Sequence, residues 1–176
     1  MENVTEKLEN QTCPACHQNT LTLMEREVEV PYFGKAFVFG MECSNCGLAK
    51  SDVEFEKGQD PVKYTLDVNS EDDLNIRVVK SAEATIKLPY ITNIEPGPSA
   101  QGFVTNVEGI LNNVKETLET LKENSEDKDE KKKAYKLIKK VNRVLWGEEK
   151  LKMIVEDPSG NSAIISDRAK KQPLKK

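Results

Sequence analysis

At 176 residues the chain has room for one medium domain and a small attached module. With 37% hydrophobic, 6% aromatic and 32% charged residues, its core is modest and aliphatic and its surface heavily solvated. The net charge of −4 combines +10 in two windows, Lys128–Arg143 and Asp167–Lys176, with −14 elsewhere, so nucleic-acid phosphate is repelled except at those windows.

The opening, MENVTEKLENQT, is polar and acidic with no apolar signal core, and residues 1–12 are expected to be flexible. No apolar run approaches the roughly 18 residues that span a bilayer. The expected location is cytoplasmic, with no membrane partner.

Cys13-Pro14-Ala15-Cys16 and Cys43-Ser44-Asn45-Cys46 use all four cysteines, with 26 residues between the pairs. Two residues between cysteines let the backbone turn so that both sulfurs reach one centre. Two such knuckles complete the tetrahedral sulfur shell that Zn²⁺ accepts at about 2.3 Å. Gly47 suits a knuckle whose backbone tilts its amides toward the thiolates. The spacer exceeds the usual ribbon spacing of roughly 15–20 residues, and its content accounts for the excess. LTLMEREVEV and KAFVFGMEC read as two strands, with Pro31–Gly34 as the turn between them. The expectation is a zinc ribbon over residues 13–56, with Cys13, Cys16, Cys43 and Cys46 as ligands of one structural Zn²⁺.

A redox pair is the rival reading. It needs a single C-x-x-C inside a βαβ pattern, which this stretch lacks. His17, the single histidine, is expected to be a bystander beside four thiolates. A closed four-sulfur shell leaves no position for substrate, so the site reads as structural.

Further along, VKYTLDV, LNIRVVK and EATIKLPYI alternate apolar and polar residues, three half-buried strands of an antiparallel sandwich or barrel. NIEPGPSAQG then reads as a loop. Thr105 and Glu108 have capping-box spacing, and Val107, Ile110, Leu111, Val114, Leu118 and Leu121 follow at helical period. A second amphipathic helix reads from about Glu130 to Trp146, forming an antiparallel hairpin over about 105–147. LKMIVEDPSGNSAIIS reads as two strands joined by a turn at Asp157–Gly160, where the Asp157 side chain can bond the following backbone. The β-domain is expected over 57–166, and 167–176 as a flexible basic tail.

Five ordered stretches, CPAC, VPYFGKAFVFGMECSNCG, RVVKSAEATIKLP, GFVTNVEGIL and EDPSGNS, together resemble the ZPR-type zinc-finger family over about Cys13–Ser166. The chain looks like the single-module version typical of archaea, whereas eukaryotic members carry two modules in tandem. The resemblance implies a mainly β protein with an α-helical hairpin: an N-terminal zinc ribbon followed by a small double-stranded β-helix (jelly-roll-like) domain. It also matches Cys13, Cys16, Cys43 and Cys46 to the family's zinc ligands. The partner it implies is the translation elongation factor GTPase that delivers aminoacyl-tRNA, for which the eukaryotic relatives are binding proteins and chaperones. Lacking the second module, this chain leaves open any function that needs both.

Two functional readings follow. The first is a non-catalytic, zinc-dependent adaptor or chaperone, with Tyr32, Phe33 and Phe37 as candidate partner-binding side chains near the hairpin tip. Those side chains, with Val30, have an alternative use in folding back onto the β-domain. The second is a nucleic-acid-binding zinc ribbon in translation or transcription, contacting phosphate through Lys131–Arg143 and the C-terminal tail. An enzyme is disfavoured, because the facial triad of a barrel oxygenase needs two histidines and no cysteine remains as a nucleophile.

Overall fold

The computed structural model describes residues 5–30, 34–55, 60–97 and 99–174. Four antiparallel strands in chain order make the ribbon: β1 (Thr5–Gln11), β2 (Leu21–Val30), β3 (Gly34–Cys43) and β4 (Ala49–Phe55). The central β2–β3 ladder runs unbroken from Leu21↔Cys43 to Val30↔Gly34. Residues 5–11, expected to be flexible, form β1 instead. Their backbone pairs with β2, and Leu8 sits opposite Leu23. An edge strand needs only one covered side, so a polar sequence with a single apolar contact suffices.

The second module follows: β5 (Val62–Val68), a 3₁₀ turn (Glu71–Asn75), β6 (Arg77–Lys80), β7 (Thr85–Leu88), β8 (Thr92–Ile94) and β9 (Phe103–Asn106). Helices α1 (Val107–Asn124) and α2 (Lys128–Leu145) come next, then β10 (Leu151–Asp157), β11 (Ala163–Ile165) and β12 (Lys170–Pro173). One sheet has the order β12-β5-β10-β7-β8, and the other β11-β6-β9. Apart from the β7–β8 hairpin, successive strands cross from sheet to sheet, which is jelly-roll connectivity. The two strands read from LKMIVEDPSGNSAIIS do not pair with each other as a closing hairpin would. β10 pairs with β5 and β7, β11 pairs with β6, and the Asp157–Gly160 turn carries the chain between sheets. Residues 167–174 of the expected flexible tail are also ordered. β12 pairs with β5, and its Lys171 ammonium lies 5.9 Å from the Tyr64 ring centroid.

The alternation read from sequence fills the space between the sheets. Val62, Tyr64, Leu66 and Val68 on β5 are buried, as are Leu151, Met153 and Val155 on β10. Helix α1 is capped one residue later than expected. Asn106, not Thr105, accepts a hydrogen bond from the Gly109 N–H at 2.8 Å, while Thr105 is still paired with Val78 in the β9–β6 ladder. On the helices, Val107, Ile110, Leu111, Val114, Ile138, Val141 and Val144 are buried. Leu121, expected on that stripe, is 57% exposed. Among the described residues no helix is long and apolar enough to cross a membrane.

One face of the ribbon belongs to the same core. Val30, Ala36 and Val53 are buried in the cluster that includes Leu66, Val79 and Met153, with Val28 and Val38 packed against it. Burying a valine contributes about 1.5–3 kcal/mol relative to exposure, so Val30 and Val53 alone seat the ribbon firmly. The segment before β9 then runs beside β4: the Gly102 N–H donates to the Ser51 carbonyl at 2.9 Å, and Ser51 Oγ donates back to the Gly102 carbonyl at 2.6 Å.

Candidate metal centre

Each cysteine pair sits in the same local turn. The Cys13 N–H donates to the Gln18 carbonyl at 2.8 Å and the His17 N–H to the Cys13 carbonyl at 2.9 Å. In the second knuckle Cys43 N–H bonds Leu48 at 2.8 Å and Gly47 N–H bonds Cys43 at 3.0 Å. His17 and Gly47 are therefore equivalent, each following the second cysteine, and both have positive φ, 58° and 71°. The geometry gives His17 a backbone role. It is exposed and stands outside the group of residues that come together as a potential metal site.

That group is Cys13, Cys16, Cys43 and Cys46, whose sulfurs all lie within 4.8 Å of one another. Cys13 Sγ is 3.7 Å from Cys46 Sγ, and Cys16 Sγ is 3.7 Å from Cys43 Sγ. A tetrahedron with metal–sulfur arms of about 2.3 Å has edges of about 3.8 Å, so the four positions fit one Zn²⁺. Leu21 is buried with Cys13 and Cys43, and Leu23, Met41 and Leu48 pack against them, which makes a small apolar floor under the site.

The electrostatics favour a cation at the centre. The Thr20 hydroxyl, 3.2 Å from the Cys43 sulfur, and the Cys46 N–H bring that thiol down to about 6. The Asn45 side chain and the Gln18 N–H likewise lower Cys16. Cys46 goes the other way. The Leu48 N–H pulls it down, but Cys43, loss of hydration and the sulfurs of Cys16 and Cys13 push it up to about 12. Four thiolates this close repel one another, and a divalent cation stabilises all of them together.

A second constellation lies where the modules meet, and sequence reasoning passed over most of it. Lys80 on β6 is 3% exposed; its Nζ donates to the Ser81 carbonyl at 2.9 Å and lies 5.7 Å from the Phe103 ring centroid. Burial lowers its pKa, and the charges of Asp157 and Asp52 oppose that shift. Asp157 is fully buried and accepts from the Ser159 N–H at 2.8 Å and the Ser159 hydroxyl at 2.7 Å, as its place in the turn suggested. Ser162 Oγ in turn accepts from the Ser81 N–H at 2.9 Å. Asp52 comes from the ribbon, Lys80 from one sheet of the roll and Asp157 from the other. The signal in the sequence was a lysine interrupting the apolar pattern of RVVK.

The third feature is the outward face of the ribbon. Val30, expected near the hairpin tip, turns inward and is buried in the main core. Phe37 is half-buried and pairs with Glu27 and Glu54 on the neighbouring strands. Its ring stacks against Phe39, with centroids 6.4 Å apart and planes 28° apart. Tyr32 and Phe33, the other candidate partner-binding residues, lie outside the described residues.

Comparison with known proteins matches both modules. Residues 6–59 match the ZPR1 zinc-finger domain, and residues 72–175 match the ZPR1 jelly-roll domain. A ZPR1-like protein of Methanocaldococcus jannaschii is 38% identical over 176 residues, covering 99% of this chain and 87% of the relative. One from Pyrococcus horikoshii is 37% identical over 169 residues, covering 93% of this chain and 76% of the relative. The zinc finger chaperone zpr1 of Schizosaccharomyces pombe is 34% identical over 161 residues, covering 86% of this chain but 33% of that longer protein. With two ordered domain matches and near full-length archaeal relatives, the chain belongs to the ZPR1 family of zinc-finger proteins.

Proposed function

We propose that the protein is a non-catalytic, zinc-dependent protein-binding adaptor or chaperone of the cytoplasm. Its partner on this reading is the translation elongation factor GTPase that delivers aminoacyl-tRNA. Cys13, Cys16, Cys43 and Cys46 hold the structural Zn²⁺, and the metal orders the ribbon rather than performing chemistry. The observation that carries the reading is the two-sided use of the ribbon. Val30, Ala36 and Val53 seat one face in the core, while the Phe37–Phe39 stack stays on the other, with Phe39 37% exposed. Aromatic groups held on a rigid sheet are the anchors a protein interface uses. The fission-yeast relative's name as a zinc finger chaperone supports the same class.

The charged helix fits this reading better than nucleic-acid binding. Along α2, Lys139 already stacks on Tyr135 at 4.7 Å, and Lys140 lies 5.2 Å from the Tyr90 ring centroid and 3.7 Å from Glu149. Lys170 and Lys171 of the tail belong to β12, which is paired to β5.

The test is a titration of zinc-loaded protein against the purified cognate elongation factor, with GDP and with a GTP analogue. Saturable binding that differs between the two nucleotides is expected. No binding in either state would remove the elongation factor as partner.

A further inference from the structure

The outward face of the ribbon is shaped as well as exposed. A groove of about 450 Å³ crosses it from β1 to β4, walled beyond the β4 edge by Ala82 and Ala100 of the roll. Its apolar lining comes from Leu8, Leu23, Phe39 and Met41, one side chain or more from each of the first three strands. Leu8 is 62% exposed, so its side chain stands open to the groove.

The charges at the rim say what the occupant must carry. Glu6 on β1 and Glu25 on β2 are direct cross-strand partners, and both line the groove. Like charges set directly opposite destabilise a sheet, and no ion pair joins either carboxylate to a cation among the described residues. Asp52 adds a third carboxylate, against the single cation Lys50. The chain's own basic segments are committed elsewhere, α2 packed on α1 and β12 paired to β5.

We infer that this groove is a docking site for a protein segment that carries large apolar side chains flanked by lysine or arginine. The inference rests on the protein-binding reading above and names the chemistry that its partner presents. Apolar anchors enter between Leu8, Phe39 and Met41, and the partner's cations relieve the Glu6–Glu25 repulsion. The groove also depends on the metal, because Leu23 and Met41 are packed against the cysteine cluster.

Two sets of variants of the full-length, zinc-loaded protein separate the two halves of the inference. Leu8→Ser and Phe39→Ser remove apolar surface at constant charge. Glu6→Lys with Glu25→Lys reverses the rim at constant apolar surface. Zinc content and circular dichroism check the fold, and Leu8→Ser alone serves if Phe39→Ser does not fold. Where the elongation factor binds the wild type, each set is expected to weaken it at least about ten-fold, with the loss on charge reversal shrinking at high salt. Equal binding by wild type and variants overturns the groove and leaves the elongation-factor reading standing.

Where the factor does not bind at all, a pair of synthetic peptides decides. They have equal leucine content, and one carries lysine where the other carries glutamate. Binding of the lysine peptide alone, lost in both variant sets, supports the groove. Equal binding of both peptides, of neither, or of the lysine peptide to every variant overturns it. Concentration-dependent dimers abolished by the same substitutions would assign the face to a second copy and also overturn it.

Discussion

Asp52, on the last strand of the ribbon, accepts a hydrogen bond at 3.2 Å from the backbone N–H of Ala82 in the jelly roll. The same oxygen accepts from the Val53 N–H at 2.8 Å, so one carboxylate fixes both its own strand and the neighbouring module. With the Ser51–Gly102 bonds beside it, this contact turns two modules into one body, and it lies only a few residues beyond Cys46.

Gly102 shows how close the approach is. A Cβ there would lie 2.8 Å from both Asp52 Oδ1 and Val53 N. Val53 N belongs to the backbone and cannot swing aside. Gly102→Ala is expected to cost about 1–3 kcal/mol, the usual scale for forced overpacking. Denaturant unfolding measures the loss, and faster amide exchange in β4 than in β10 would place it at the junction.

His17 offers a change of the opposite sign. It occupies the left-handed position that Gly47 fills in the other knuckle, and that conformation costs a non-glycine residue roughly 1–2 kcal/mol. His17→Gly is expected to keep one zinc per chain and to hold or raise the resistance to zinc chelators. Loss of zinc in that variant would mean that the imidazole, not the backbone, is what matters at this position.

Asp73 makes a pH-dependent contribution. It is 4% exposed and lies in the 3₁₀ turn, where Arg168 contacts Oδ1 and the Asn69 N–H donates to Oδ2 at 2.7 Å. Burial raises its pKa, but Arg168 and the N–H groups of Asn69 and Ser70 outweigh burial and leave it below the ordinary value. A depressed folded pKa stabilises the fold above the unfolded value of about 3.9, and the contribution fades as pH falls through the folded value. Arg168→Met is expected to cost about 1–3 kcal/mol at pH 7, with the gap to wild type closing below about pH 3.9. Urea unfolding of both proteins at matched pH gives the difference, and a gap independent of pH would contradict the pairing.

Much of the fold was legible because it rests on local signals. The duplicated C-x-x-C pairs announce a four-sulfur site, and the burial of Val62, Tyr64, Leu66 and Val68 follows their alternation. The helical stripes of α1 and α2 were readable for the same reason, apart from Leu121 at the outer end of the hairpin. What stayed hidden depends on neighbours distant in sequence. The strand TEKLENQ carries no pattern of its own and is ordered by the backbone of β2, as KKQP is by β5. Nothing near Asp157–Gly160 says that the turn changes sheets rather than closing a hairpin. The cap at Asn106 was missed by one residue because Thr105 offers the same chemistry and is used by β9. Lys80 is buried where the charges of Asp52 and Asp157 reach it from two other sheets, a placement its own stretch of sequence does not show. On the outward face of the ribbon Phe37 could be singled out in sequence, whereas the places of Leu8 and Glu6 required the unforeseen β1.

On the proposed function, zinc builds the face that binds the partner, with the roll as its seat. The most direct measurement compares binding of the elongation factor by zinc-loaded wild type and by Cys43→Ser/Cys46→Ser, with helical circular dichroism followed in parallel. The α1–α2 hairpin belongs to the roll, so the helical signal is expected to survive in the variant while binding is lost. Undiminished binding by the zinc-free variant would contradict the claim and place the partner on the roll itself.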